Sequence, residues 1–215
     1  MKLVTFRAGV EGPARLGVIL DDLVIDTGAL GEATGAALPE RMLDLIDLGH
    51  AGVRLVQAAL ADQDGAWPMG VARPLANVTL LAPIPQPRKN IFGIGLNYAE
   101  HVEESARSLD TAKEMPSQPV IFSKPPTTVI GPGDPVQHNA AITQQLDWEV
   151  ELAVIVGARA TRVAEADAMA HVFGYSVMID ISARDNRRSG QWIYSKGMDS
   201  YAPFGPCIVT ADEVA

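Results

Sequence analysis

Cysteine is nearly absent from this chain: among 215 residues only Cys207 carries a thiol. No internal disulfide is possible, and a reducing compartment fits. Long apolar runs are missing too. The longest is a handful of residues, far short of the ~20 needed to cross a bilayer, and the N-terminal "MKLVTFRAGVEGPA" has no apolar signal core. Positive charge is scarce. Lys and Arg number 17 against 26 Asp and Glu, for a net charge of -9, which argues against nucleic-acid and anionic-membrane partners. Repeats and low-complexity tracts are also lacking. What remains is a soluble, cytoplasmic, globular protein. With 47% apolar residues, it can form one large domain or two small ones around a real core.

The pattern along the chain changes near residue 83. Before it, "KLVTF", "RLGVIL" and "LVIDT" read as short strands separated by turn residues. Helical spacing follows from about Pro39 to Ala61, with Gly49 and Gly52 expected to split it in two. "NVTLLAPIP" reads as a strand, and the Pro-rich "PIPQPRK" at 83–89 is the candidate boundary. After it come a strand "NIFGIG", a helix from Tyr98 to about Arg107 capped by Asn97, and a strand "PVIFSKPP". "EADAMAHVF" reads as a helix, and "GYSVMIDIS" as a strand ending at Asp180.

One strand poses a problem. "QLDWEVELAVIVG", residues 145–157, reads as buried, yet Asp147, Glu149 and Glu151 alternate onto one face of it. Trp148, Val150, Leu152 and Val154 point the other way. Ionised carboxylates two residues apart on a strand, ~7 Å, repel by ~2.4 kcal/mol at an effective dielectric of ~20. Either water wets that face, or a divalent cation turns the repulsion into binding. Glu149, Glu151 and the strand-end Asp180 are hard oxygen donors, suited to Mg²⁺, Mn²⁺ or Ca²⁺ rather than zinc. Asp147 reads more simply as a solvated strand-end acid.

Other sets have weaker spacing signals. His101 and Glu104 lie at i and i+3, where a carboxylate can orient an imidazole as a general base, although the pattern is common on exposed helices. Arg184, Arg187, Arg188 and Lys196 form a cationic set that a carboxylate substrate would need, or a solvated basic loop. Lys124 in "FSKPP" reads either way. "GIG" at 93–95 is no dinucleotide loop, because the third glycine position holds Tyr98. Ser182 and Ser195 sit in no nucleophile elbow. Cys207 reads as a core thiol.

Taken in order, "NIFGIGLNYAEHVEE", "PVIFSKPPTTVIGPGDPV", "LDWEVELAVIVG", "VFGYSVMIDISARD" and "QWIYSKGMDSYAPFGPCIVT" resemble the fumarylacetoacetate hydrolase family from residue 88 to 213. The resemblance implies an α+β fold, mostly β structure layered and rolled around a metal site. It implies a small N-terminal domain at 1–83, a catalytic domain at 84–215, and a homodimer. It assigns the metal, usually Mg²⁺, to Glu149, Glu151 and Asp180. His101 and Glu104 match the family's lid-helix dyad, Lys196 its metal-site lysine, and Arg184 the arginine of A-R-D. Two departures stand out. Arg187 replaces a glutamine that often touches substrate, which favours a second carboxylate. The family domain also continues through a T-G-T-P-like segment, so the domain is expected to extend past Ala215. The implied activity is hydrolysis of a C–C bond in a β-diketo acid of the acylpyruvate or fumarylpyruvate type. The alternatives are decarboxylation, isomerisation or lysis of a hydroxymuconate-type oxo-diacid at the same site, or, in another class, non-catalytic metal or ligand binding.

Overall fold

The computed structural model describes residues 1–9, 11–98, 116–187 and 191–214. The chain opens as a meander of β1 (Lys2–Arg7), β2 (Arg15–Leu20) and β3 (Leu23–Asp26). Asp21 turns the second hairpin with φ 50°, a left-handed conformation that Asp tolerates. Asp26 caps α1 (Thr27–Thr34), its Oδ1 accepting from the Ala29 amide at 3.1 Å. In α2 (Met42–Ala61) the expected split occurs at Gly49 alone, with φ 56° and ψ −144°, while Gly52 stays helical and buried. Short β4 (Ala72–Pro74) and β5 (Thr79–Leu80) follow.

Beyond the Pro-rich stretch lie β6 (Ile91–Gly95), β7 (Val120–Lys124) and β8 (Val129–Ile130). The two longest strands are β9 (Leu146–Val156) and β10 (Val172–Ala183). A short helix α3 (Trp192–Lys196), β11 (Ala202–Pro203) and β12 (Ile208–Thr210) complete the order. The class is α+β with most regular structure in strands, as expected. Two boundaries differ. The helix expected over 165–173 is a 3₁₀ helix at Glu165–His171; Val172 and Phe173, buried and strand-prone, already belong to β10. The strand expected to end at Asp180 continues to Ala183, because Asp180 is neutralised within the ladder rather than solvated at its end.

The main sheet has the order β4-β3-β2-β1-β12-β10-β9, with β5 also on β1. Leu3, Leu16, Val18, Leu45, Val56, Phe173 and Ile208 share one core cluster, so sheet and core include residues from both sides of position 83. Separate pairs join β6 to β7 and β8 to β11. Among the described residues no helix is long and apolar enough to cross a membrane.

Strand β9 resolves its own puzzle in an unexpected way. Its two faces separate acids from apolar residues as predicted. The apolar side is not a core, however: Trp148, Val150, Leu152 and Val154 are 67, 63, 70 and 51% exposed. β9 ends the sheet, with β10 as its one neighbour among the described residues. The acidic face is the more enclosed of the two.

Candidate metal centre

Antiparallel register builds the site. Glu149 stands directly opposite Asp180, Glu151 opposite Met178, and Asp147 opposite Ser182. Directly opposed side chains share a face, so Glu149 faces Asp180 across the ladder and Glu151 lies on the diagonal. One ligand oxygen from each of Glu149, Glu151 and Asp180 lies within 4.8 Å of the others. The three residues expected to hold a cation are thus brought together.

Helix α3 delivers Lys196 into this group. Its buried Nζ donates to Glu149 Oε2 at 2.8 Å, Asp180 Oδ2 at 2.5 Å and Ser182 Oγ at 2.6 Å. The helix is anchored on β10 by Ser195, whose Oγ donates to the Ala183 carbonyl at 2.7 Å. Arg184 Nη2 lies 2.5 Å from Glu149 Oε1, and its Nε donates to Asp147 Oδ2 at 2.8 Å. Asp147 therefore orients Arg184 and stands outside the cluster of three carboxylates that could hold an ion. Arg187 Nη2 is 3.6 Å from Glu149 Oε1. Of the remaining expected residues, His101, Glu104 and Arg188 lie outside the described residues.

Charge sets the protonation of the three acids. Burial pushes Glu149 up, but Lys196 and then Arg184 outweigh it and hold the carboxyl below the ordinary range. Burial raises Asp180, with Lys124 and Lys196 pulling it back. Burial also raises Glu151, and here the neighbouring charges of Asp180 and Glu149 add to the effect. A carboxyl raised partly by two like charges marks a place where a cation is under-supplied.

The donor set passes a test for a divalent ion. Glu149 Oε1 and Asp180 Oδ1 are buried oxygens with no aligned hydrogen-bond donor, although Arg184 and Lys124 lie within ion-pair distance of them. These contacts balance charge and leave lone pairs unused, which a metal ion can take. Carboxylate oxygens alone suit Mg²⁺, Mn²⁺ or Ca²⁺.

Beside the acids runs a cleft lined by Ile94, Asn97, Phe122, Arg187, Trp192 and Lys196. The Phe122 and Trp192 rings lie 5.5 Å apart, and Lys196 Nζ is 4.9 Å from the Phe122 centroid. The "GIG" of β6 belongs here. A Cβ on Gly93 would fall 2.2 Å from the Phe122 ring, and one on Gly95 would fall 2.4 Å from Trp192. These glycines admit aromatic walls rather than a phosphate.

Sequence reasoning left two contributors open or missed them. Ser182, dismissed as a nucleophile, is an acceptor for Lys196. Lys124 is 2% exposed and lies 2.7 Å from Asp180 Oδ1. A lysine ending an apolar strand beside Pro125 was the available signal for the latter.

The model of one family, described as "Fumarylacetoacetate (FAA) hydrolase C-terminal", matches residues 90–215. Over 220 residues the chain is 38% identical to the protein named oxaloacetate tautomerase FAHD2A, mitochondrial, of Bos taurus; the match covers 100% of this chain and 64% of the relative. It is 45% identical over 136 residues to the oxaloacetate tautomerase YisK of Bacillus subtilis, covering 63% of this chain and 44% of that one. Among solved structures, a maleylpyruvate hydrolase from Sphingobium sp. SYK-6, in complex with manganese(II) and pyruvate, aligns with TM-score 0.71 and 33% identity, covering 100% of this chain and 69% of that one. A Xenopus laevis relative likewise extends further, the chain spanning 63% of its length.

Proposed function

We infer the reaction from one premise: the chain belongs to the fumarylacetoacetate hydrolase family. We propose that Glu149, Glu151 and Asp180 hold one divalent cation, Mg²⁺ or Mn²⁺. At that site a small 2-oxo dicarboxylate is enolised, the reaction being keto–enol tautomerisation of oxaloacetate. The carrying observation is the convergence of Lys196, Arg184 and Arg187 on Glu149, beside the acidic set. Cations in that number suit a substrate with two carboxylates and a third negative charge that grows during reaction.

A metal held there would supply Lewis-acid polarisation of the keto-acid oxygens. The other roles belong to the chain's own groups. Lys196 holds Glu149 and Asp180 in register and sits at the cleft wall, where its charge stabilises the developing enolate. Arg187, lining the cleft, takes the second carboxylate. Arg184, fixed by Asp147, keeps Glu149 ionised. Phe122 and Trp192 shield the reacting carbon from bulk water. His101 and Glu104, assigned by family resemblance, carry the proton from C3 to the enol oxygen, so that no atom is gained or lost. The small domain at 1–83, the catalytic domain at 84–215 and a homodimer in the cytoplasm belong to the same proposal.

The test follows the ultraviolet absorbance of enol oxaloacetate with the chain, with and without Mg²⁺. Faster approach to equilibrium than Mg²⁺ alone produces is the expected result, and no acceleration overturns the reading. A second reading, hydrolysis of an acylpyruvate-type C–C bond, is favoured by the Sphingobium neighbour and its bound pyruvate. It builds up charge on the same oxygens and adds an attacking water. Cleavage of acylpyruvates without tautomerase activity would put it first. Inactivity in both assays would leave non-catalytic binding.

A further inference from the structure

We propose that Lys124 is a positioning residue of the metal site, which holds Asp180 in the geometry a small octahedral cation needs while leaving a ligating lone pair free. The inference rests on the reading of Glu149, Glu151 and Asp180 as the metal-binding set.

Lys124 ends β7 and its side chain is enclosed. An ammonium group has three protons. Three backbone carbonyls accept from Lys124: Ile181 at 3.1 Å, Lys196 at 2.5 Å and Tyr201 at 2.8 Å. Asp180 Oδ1 is a fourth neighbour of the same ammonium, 2.7 Å away. The contact with Asp180 is an ion pair that draws Oδ1 toward a fixed point. A carboxylate oxygen has two lone pairs, so one stays available to a cation.

The three carbonyls come from three separate places. Ile181 follows Asp180 on β10, Lys196 ends α3, and Tyr201 precedes β11. One ammonium group thus ties the backbone of a ligand strand to the backbone that carries Lys196. Lys196 closes the loop by binding Asp180 Oδ2. Both oxygens of Asp180 are held, and both anchors depend on Lys124. Groups that orient metal ligands from behind typically change metal affinity by ~10–100-fold when removed.

Removing Lys124 alters charge as well as geometry, so a single affinity would mix the two effects. A comparison of two cations separates them. Mg²⁺ and Ca²⁺ carry the same charge, and the loss of a nearby positive group favours both alike. They differ in tolerance: Mg²⁺ demands near-ideal octahedral ligands at ~2.0–2.1 Å, whereas Ca²⁺ accepts irregular sets at ~2.3–2.6 Å. A loosened Asp180 therefore penalises Mg²⁺ selectively.

The experiment measures Mg²⁺ and Ca²⁺ dissociation constants by calorimetry on the full-length chain and on its Lys124→Met variant, with metal-free thermal unfolding alongside. The Mg²⁺-over-Ca²⁺ preference is expected to fall ~10-fold or more. An unchanged or increased preference, even with a lowered melting temperature, overturns the proposal and makes Lys124 a fold anchor only. If the wild type binds neither ion, the metal reading itself fails and takes this one with it. Should Lys124→Met not fold, Lys124→Gln, which can still donate to two of the carbonyls, undergoes the same comparison.

Discussion

Glu149 and Asp180 face each other across the β9–β10 ladder, and the ammonium of Lys196 bonds to both, at 2.8 and 2.5 Å. Two opposed like charges on adjacent strands would otherwise destabilise the pair. Lys196 and Lys124 pair with Asp180, and Lys196 and Arg184 with Glu149, so the strands can associate before any metal arrives.

Lys196→Met should therefore destabilise the metal-free chain by about 3–5 kcal/mol, the usual result of stranding a buried charge. Saturating Mg²⁺ should return much of this, because it supplies positive charge to the same oxygens. Denaturant unfolding with and without Mg²⁺ checks both halves. A variant as stable as wild type without metal would show that the two acids do not need this cation.

Glu151 behaves in the opposite way. Burial, and then repulsion from Asp180 and Glu149, raises its pKa, so in its ionised form it weakens the metal-free fold. Glu151→Gln should raise the metal-free melting temperature by roughly 1–3 °C while removing most Mg²⁺ affinity. Calorimetry and thermal scans on the same preparation test the pair of effects. Undiminished Mg²⁺ affinity would remove Glu151 from the ligand set.

The same shift fixes a pH dependence. A metal ligand must be deprotonated, and Glu151 takes up its proton above the ordinary value of 4.5. Mg²⁺ affinity should decline as pH falls through that raised value, before an ordinary glutamate would protonate. Its contribution to the stability of the metal-free fold runs the opposite way with pH. It is fully present below the unfolded pKa and is lost as pH rises through the folded one. Mg²⁺ titrations from about pH 8 to 4.5, repeated with Glu151→Asp, should show the decline. Affinity flat down to the ordinary glutamate range would contradict it.

Much of this site was legible in the sequence for a local reason. A strand's two-residue period places Glu149 and Glu151 on one face whatever the tertiary structure. The partnership with Asp180 was legible only through family resemblance, since register between β9 and β10 is set by distant pairing and not by either strand alone. Lys124 and Ser182 were not assigned, because their roles depend on carbonyls and ammonium groups far along the chain. The apolar face of β9 was misread because hydrophobic alternation reports which residues share a face and not which face is covered. The helix expected at 165–173 gave way because Val172 and Phe173 gain more from burial in β10 than from continuing a helix.

His101 has a proton-transfer role in either reaction, and the hydrolytic one can be tested by itself. Attack by water needs a base, and removing one typically lowers rate by ~10²–10⁴-fold. If acylpyruvate hydrolysis is the physiological chemistry, His101→Ala should lose that cleavage with little change in substrate affinity, and Glu104→Gln should lose less, because the imidazole remains. Steady-state assays on acylpyruvates and oxaloacetate with both variants are the check. Full retention of acylpyruvate cleavage in His101→Ala would remove the dyad from the hydrolytic mechanism.

Arg187 should decide how strongly a second carboxylate is preferred. It lines the cleft beside Phe122 and Trp192, and its Nη2 lies 3.6 Å from Glu149 Oε1, beyond the 2.5 Å contact that Arg184 makes with the same oxygen. Arg184 is committed to Asp147 and Glu149, whereas the ion pair that Arg187 makes among the described residues is the longer one to Glu149. A guanidinium pairs with a carboxylate through two parallel hydrogen bonds. Arg187→Met removes that fork and preserves much of the side-chain bulk against the aromatic wall. Binding of oxalate and pyruvate, which engage the metal through adjacent oxygens, should change little. KM for oxaloacetate should rise ~10-fold or more, in line with the ~1.5–3 kcal/mol of a hydrogen bond to a charged group. Arg187→Lys should recover part of the loss, because it restores charge without the fork. Equal weakening of pyruvate and oxaloacetate would place Arg187 in service of Glu149 instead, and a substrate with one carboxylate would then fit the cleft as well as one with two.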